Sequence, residues 1–134
     1  MVKIPTEKQI AEANFRLIDR YSPNEEKAIK DSNALNMIVN LVDQHVFGKE
    51  LYPELFDKST ILFILLVLKH IFANGNKRTA TFILISMLRN NGYDFRTNLH
   101  DLKDLSVYVA THGNNKKTFE YVKSYIETNA VPFE

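Results

Sequence analysis

Side chains able to do chemistry together crowd into one stretch of eleven residues, His70-Ile71-Phe72-Ala73-Asn74-Gly75-Asn76-Lys77-Arg78-Thr79-Ala80. His70 is the type of side chain best suited to move a proton near neutral pH. Lys77 and Arg78 place two adjacent cations eight residues or less beyond it. Gly75 permits a tight turn and a close approach of backbone to a ligand. A helix is expected to begin near Asn76, with Asn74 or Asn76 as its cap. The first N–H groups of a helix have no partner within it, and its dipole adds positive potential there. Free amides, dipole, lysine and arginine together describe an anion site, most simply a phosphate site. Two basic residues in a helix's first turn are mildly unfavourable without such an anion. A phosphate cradle facing a histidine suggests group transfer from a phosphorylated donor.

The flanking elements explain how such a loop is held. Ile61-Leu62-Phe63-Ile64-Leu65-Leu66-Val67-Leu68 precedes it, and Phe82-Ile83-Leu84-Ile85-Ser86-Met87-Leu88 follows it. Both runs are apolar all round, as in elements buried on most sides. The first helix is expected over Lys58 to Lys69, capped by Asp57. The second is expected from Asn76 to Asn90, stopping at Asn91-Gly92. Together with the loop they form the structural centre.

The stretch resembles the signature of Fic/Doc proteins, whose Fic form reads H-P-F-x-[D/E]-G-N-G-R-x-x-R. His70, Phe72, Gly75, Asn76 and Arg78 match it. Lys77 stands where Fic proteins carry glycine, and Thr81 where they carry the second arginine. Both departures agree with the Doc branch, H-x-F-x-x-x-N-K-R-T-A, which Asn76-Lys77-Arg78-Thr79-Ala80 matches residue for residue. The resemblance implies an all-α Fido-type bundle over residues 1–134 as one domain, with a short extended or hairpin flap before the signature helix. It implies ATP as donor, Mg²⁺ as cofactor and a protein hydroxyl as acceptor. Fic enzymes usually transfer AMP, whereas Doc transfers phosphate to a translation factor. Lys77 fills space beside the cradle and favours the Doc-like reaction. The expected function is therefore a Doc-like toxin, a kinase acting on a serine or threonine of a translation protein and controlled by an antitoxin. AMP transfer on the same fold and a catalytically silent binding module are the alternatives.

Carried over by resemblance, His70 would be the general base and Arg78 would clamp phosphate in the transition state. Phe72, Gly75, Asn76, Lys77 and Arg78 would form the nucleotide site, Phe72 by anchoring the loop in the core. Asn74 takes the metal-ligand position, where the family usually has Asp or Glu; a neutral amide should hold Mg²⁺ more weakly. Many Fic proteins also carry an inhibitory S/T-x-x-x-E-[G/N] helix. Ser22 and Glu26 have that spacing, but Lys27 replaces the last residue, and Ser22 is explained equally well as the cap of a following helix.

The whole chain sets bounds. Its 134 residues and 45% hydrophobic content fit one domain with a real core. A net charge of +1 gives no push toward a broad nucleic-acid or membrane surface. The chain has no cysteine, hence no disulfide framework or thiolate metal site. Met1 to Pro5 lacks the apolar core of a signal peptide, and Ile61–Leu68 is too short to span a bilayer. A cytoplasmic protein is the expectation. A helix-turn-helix DNA binder is disfavoured, because its reading helix would be apolar almost throughout.

Four further helices are expected. Thr6 and Gln9 make a capping box for a helix reaching Tyr21. Ser22, Pro23 and Glu25 signal a second, running to Phe47 before Gly48, with a candidate break at Asp31-Ser32-Asn33. Gly48 to Phe56 is the flap, whose Leu51, Tyr52 and Leu55 either dock a target or tuck onto the core. After Tyr93-Asp94-Phe95, helices follow over Leu99 to His112 and Lys116 to Thr128. Ala130 to Glu134 is a tail. His45, His100 and His112 show no metal-ligand spacing among themselves.

Overall fold

The structure, a computed structural model, describes residues 1–133. Their elements run α1 (Glu7–Tyr21), α2 (Ser32–Val42), β1 (His45–Val46), β2 (Lys49–Glu50), α3 (Leu55–Leu68), α4 (Asn76–Asn90), β3 (Tyr93–Phe95), α5 (Leu99–His112), α6 (Lys116–Asn129) and β4 (Ala130–Pro132). The fold is all-α, as expected. Its strands form just two antiparallel pairs among the described residues, β1 with β2 and β3 with β4. No helix in these residues is long and apolar enough to cross a membrane.

The apolar run of α3 dictates its place. Every residue from Asp57 to Val67 is buried, and α2, α4, α5 and α6 all pack against this helix. Burial of each such aliphatic side chain is worth about 1.5–3 kcal/mol. Lys123 reaches from α6 to Asp57 at 2.7 Å. This hydrogen bond raises the lysine's pKa above its ordinary value. The expected cap of α3 is shifted by one turn. Glu54 is the N-cap and Asp57 the third helical residue, where its Oδ2 accepts from the Glu54 N–H at 3.2 Å. The helix ends at Leu68, with Lys69 as C-cap.

The second helix differs most from expectation. Thr6 and Gln9 do form the α1 capping box, but Ser22 closes α1 as its C-cap instead of opening a new helix. Residues 23–30 are non-helical, and α2 starts only after Asp31, whose side chain accepts from Ala34 N–H. The reason is a competing set of partners. Ala73 N–H donates to Ala28 O at 2.9 Å, and Lys30 and Asp31 N–H both donate to Ile71 O. Residues 23–30 therefore form a strap laid antiparallel against the loop after α3, with Ile29 bridging Phe72.

The flap is a hairpin, displaced toward the N-terminus. His45 pairs with Glu50 and Val46 with Lys49, so it begins in residues expected to be helical. Phe47 and Gly48 both have positive φ, 51° and 78°, as a two-residue turn of this kind requires. Tyr52 and Leu55 are packed against the core, Tyr52 with its ring 6.0 Å from that of Phe119. Those two residues thus serve as an ordinary connection, while Leu51, Val46 and Phe47 stay exposed.

The C-terminal tail packs back. β4 pairs with β3 from Tyr93↔Pro132 to Phe95↔Ala130, and Phe133 N–H donates to Gly92 O; Glu134 lies outside the described residues. The last helix and α5 stand where expected, within one residue.

Candidate active site

The loop between α3 and α4 is closed by Asn76. Its Oδ1 accepts from Phe72 N–H at 3.0 Å, and its Nδ2 donates to Phe72 O at 2.9 Å. These two bonds fix the Asn76 side chain across the loop and leave one Nδ2 N–H beside its backbone to serve an anion. Neither Asn74 nor Asn76 caps α4. The N-cap is Gly75, in the left-handed region at φ 74°, with no side chain bonding into the helix. Thr79 N–H is taken by Gly75 O. The earlier amides of the first turn have neither a capping side chain nor an intrahelical acceptor, so they remain open to a ligand.

Asn14, on α1, supports the loop from beneath. It is wholly buried, and its Nδ2 donates to Asn74 O at 2.9 Å and to Thr79 Oγ1 at 3.0 Å. A Cβ on Gly75 would stand 3.2 Å from that same Nδ2. The strap holds the other side, where Asn74 Nδ2 donates to Glu26 O at 3.1 Å. Three separate elements thus fix the seven residues of loop between Leu68 and Asn76.

His70 is exposed, two residues past the end of α3. Its φ of 47° is unusual for a histidine. It shares a cleft of about 420 Å³ with Asn74, Gly75, Asn76, Lys77 and Arg78. Val67, Ala73, Ser22 and Glu25 complete the wall. Lys77 and Arg78 are both exposed. Arg78 Nη1 donates to Ser22 Oγ at 3.3 Å, and its Cζ lies 5.2 Å from the Tyr21 ring centroid. Arg20 stands 5.6 Å from the same ring. A neutral hydroxyl and a ring face orient the guanidinium without neutralising it.

Phe72, assigned to the nucleotide site as the anchor of the loop, is 2% exposed and part of the main core cluster, and it does not line the cleft. Sequence reasoning missed Asn14, Tyr21 and the strap. Asn14 had a faint signal, a polar residue on the apolar stripe of α1; the others had none. Away from the cleft, His100, Asp101 and Asp104 can bring ligand atoms within 4.8 Å of one another. A search among histidines alone overlooks that group. All three are exposed at the start of α5.

Among known families, the model described as "Fic/DOC family" matches residues 4–88, from before α1 to near the end of α4. No curated protein matches the chain.

Proposed function

The chain belongs to the Fic/DOC family, a family of protein-modifying transferases, and from that we propose a Doc-like kinase acting as the toxin of a toxin–antitoxin pair. It would move the γ-phosphoryl group of ATP to a serine or threonine hydroxyl of a translation protein in the cytoplasm, and an antitoxin would hold it in check. The whole chain would act as one domain, with α5 and α6 beyond the matched residues supporting α3. The observation that carries this reading is the single cleft joining exposed His70 to the uncapped start of α4, with Lys77 and Arg78 beside it.

The cleft fits a polyphosphate. Its free first-turn amides and two cations on one side are what a phosphate chain requires. The fit to Mg²⁺ is partial, because the motif contributes only the neutral Oδ1 of Asn74. Mg²⁺, when bound, supplies charge neutralisation at the phosphates. The chain's own residues do the rest. Gly75, Asn76 and Lys77 would bind phosphate through backbone N–H groups and the Lys77 ammonium. Arg78, already oriented by Ser22 and Tyr21, would offset charge as it builds on the transferred group. His70 would take the proton as the target hydroxyl forms its bond to the γ-phosphorus. The bond from that phosphorus to the β–γ bridging oxygen breaks, and ADP leaves with the electron pair. The β1–β2 hairpin would receive the target segment along its exposed strands.

Transfer of AMP would use the same groups on the α-phosphate. Incubating the protein and a cell extract with ATP labelled at the α or γ position separates the two. Label from γ alone is the expected result. Label from α would overturn the kinase reading and the weight placed on Lys77. No label from either would contradict catalysis from ATP.

A further inference from the structure

The family position for a metal-holding carboxylate is filled here by Asn74, and its amide is tied into the fold. Nδ2 donates to Glu26 O, a bond that a carboxylate could not make. Glu25 immediately precedes Glu26, so that bond holds Asn74 against the backbone that carries Glu25, and of the two glutamates it is Glu25 that lines the cleft beside Asn74. Glu25 N–H donates to Ser22 O at 2.9 Å, a turn that fixes the backbone carrying this side chain. Glu25 is the one carboxylate lining the cleft among the described residues. It shares that wall with Lys77 and Arg78, yet no ion pair between Glu25 and either cation forms within 4.0 Å.

A carboxylate placed like this repels an incoming polyphosphate unless a cation stands between them. Mg²⁺ is bound in such sites through one or two carboxylates together with substrate phosphates and water. We infer that Glu25 supplies the carboxylate missing at position 74, holding a divalent cation jointly with Asn74 Oδ1 and the phosphates of bound ATP. The inference rests on the nucleotide reading of the cleft. The strap is then more than a support for the loop, because it carries the charge that makes nucleotide binding metal-dependent.

Glu25 is exposed, so Glu25→Gln should fold normally. ATP affinity is measured by calorimetry for both proteins, with Mg²⁺ and with a chelator, and Mn²⁺ binding in the presence of ATP is read by electron paramagnetic resonance. Wild type should bind ATP more tightly with Mg²⁺. Glu25→Gln should lose about 10- to 100-fold of that affinity and of Mn²⁺ binding. Without metal it should bind ATP more tightly than wild type, since the repulsion is gone. This reversal of sign is the signature. Tighter ATP binding by the variant under both conditions would overturn the proposal and make Glu25 a blocking group. Equal affinities throughout would also overturn it. Absence of ATP binding by wild type would remove the nucleotide reading itself, a failure visible without the variant.

Discussion

His70 adopts φ 47°, a left-handed backbone that costs a residue with a Cβ roughly 1–2 kcal/mol. The cost is tolerated because both neighbours are fixed: Lys69 N–H is bonded to Leu65 O, and Ile71 is fully buried. The chain must turn sharply out of α3 there, and the turn leaves the imidazole exposed in the cleft. Gly75 meets the same demand without strain. Gly75→Ala adds the left-handed penalty and brings a methyl to 3.2 Å from Asn14 Nδ2, the atom holding both Asn74 and Thr79. We expect a loss of about 1–2 kcal/mol in denaturant unfolding. ATP affinity should fall as well, because the first turn of α4 shifts. Unchanged stability would mean that the turn tolerates a side chain.

At the scale of elements, the hairpin has little to hold it. All four strand residues are exposed, and an isolated two-stranded hairpin is marginal in water. Its anchor is Lys58, a buried lysine in the first turns of α3. Lys58 Nζ donates to Val42 O at 3.0 Å, at the C-terminal end of α2, and lies 3.5 Å from Glu50 and 3.9 Å from Asp43. One cation thereby joins α2, α3 and the hairpin. Removing it leaves Val42 O without that donor and frees Glu50. Lys58→Met keeps the apolar stem, so the core should remain filled. The variant should lose about 1–3 kcal/mol. Amide exchange at Leu51, whose N–H is bonded to Gln44 O, should accelerate more than exchange within α3. Equal acceleration everywhere would mean that Lys58 supports the whole fold and not the hairpin in particular.

At the scale of the molecule, what could be read from the sequence depended on the range of the forces involved. The centre was legible because apolar residues all round α3 permit only burial, and because Asn91-Gly92 and Gly113 end helices by local chemistry; the run in α4, expected to be buried on most sides, buries one side and leaves Phe82 exposed. The α1 capping box and the helix starting after Asn98 were legible for the same reason. The strap was not, because Ser22, Pro23 and Glu25 are a sound local start signal. The pairing of residues 28–31 with Ile71 and Ala73 overrode it, and that pairing joins segments some forty residues apart. The β3–β4 pair and the seat of Asn14 under the loop are long-range in the same way. The site was therefore legible as a set of residue types along one loop, while the elements that orient it were not. The measurement that tests this account most directly is phosphoryl transfer from γ-labelled ATP by His70→Ala beside wild type, with ATP binding measured on the same samples. Since the His70 side chain is exposed, the variant should fold and bind ATP as wild type does. Its transfer rate should fall by about 10²- to 10⁴-fold. Undiminished transfer by a folded, ATP-binding His70→Ala protein would contradict the assignment of this cleft as the catalytic site.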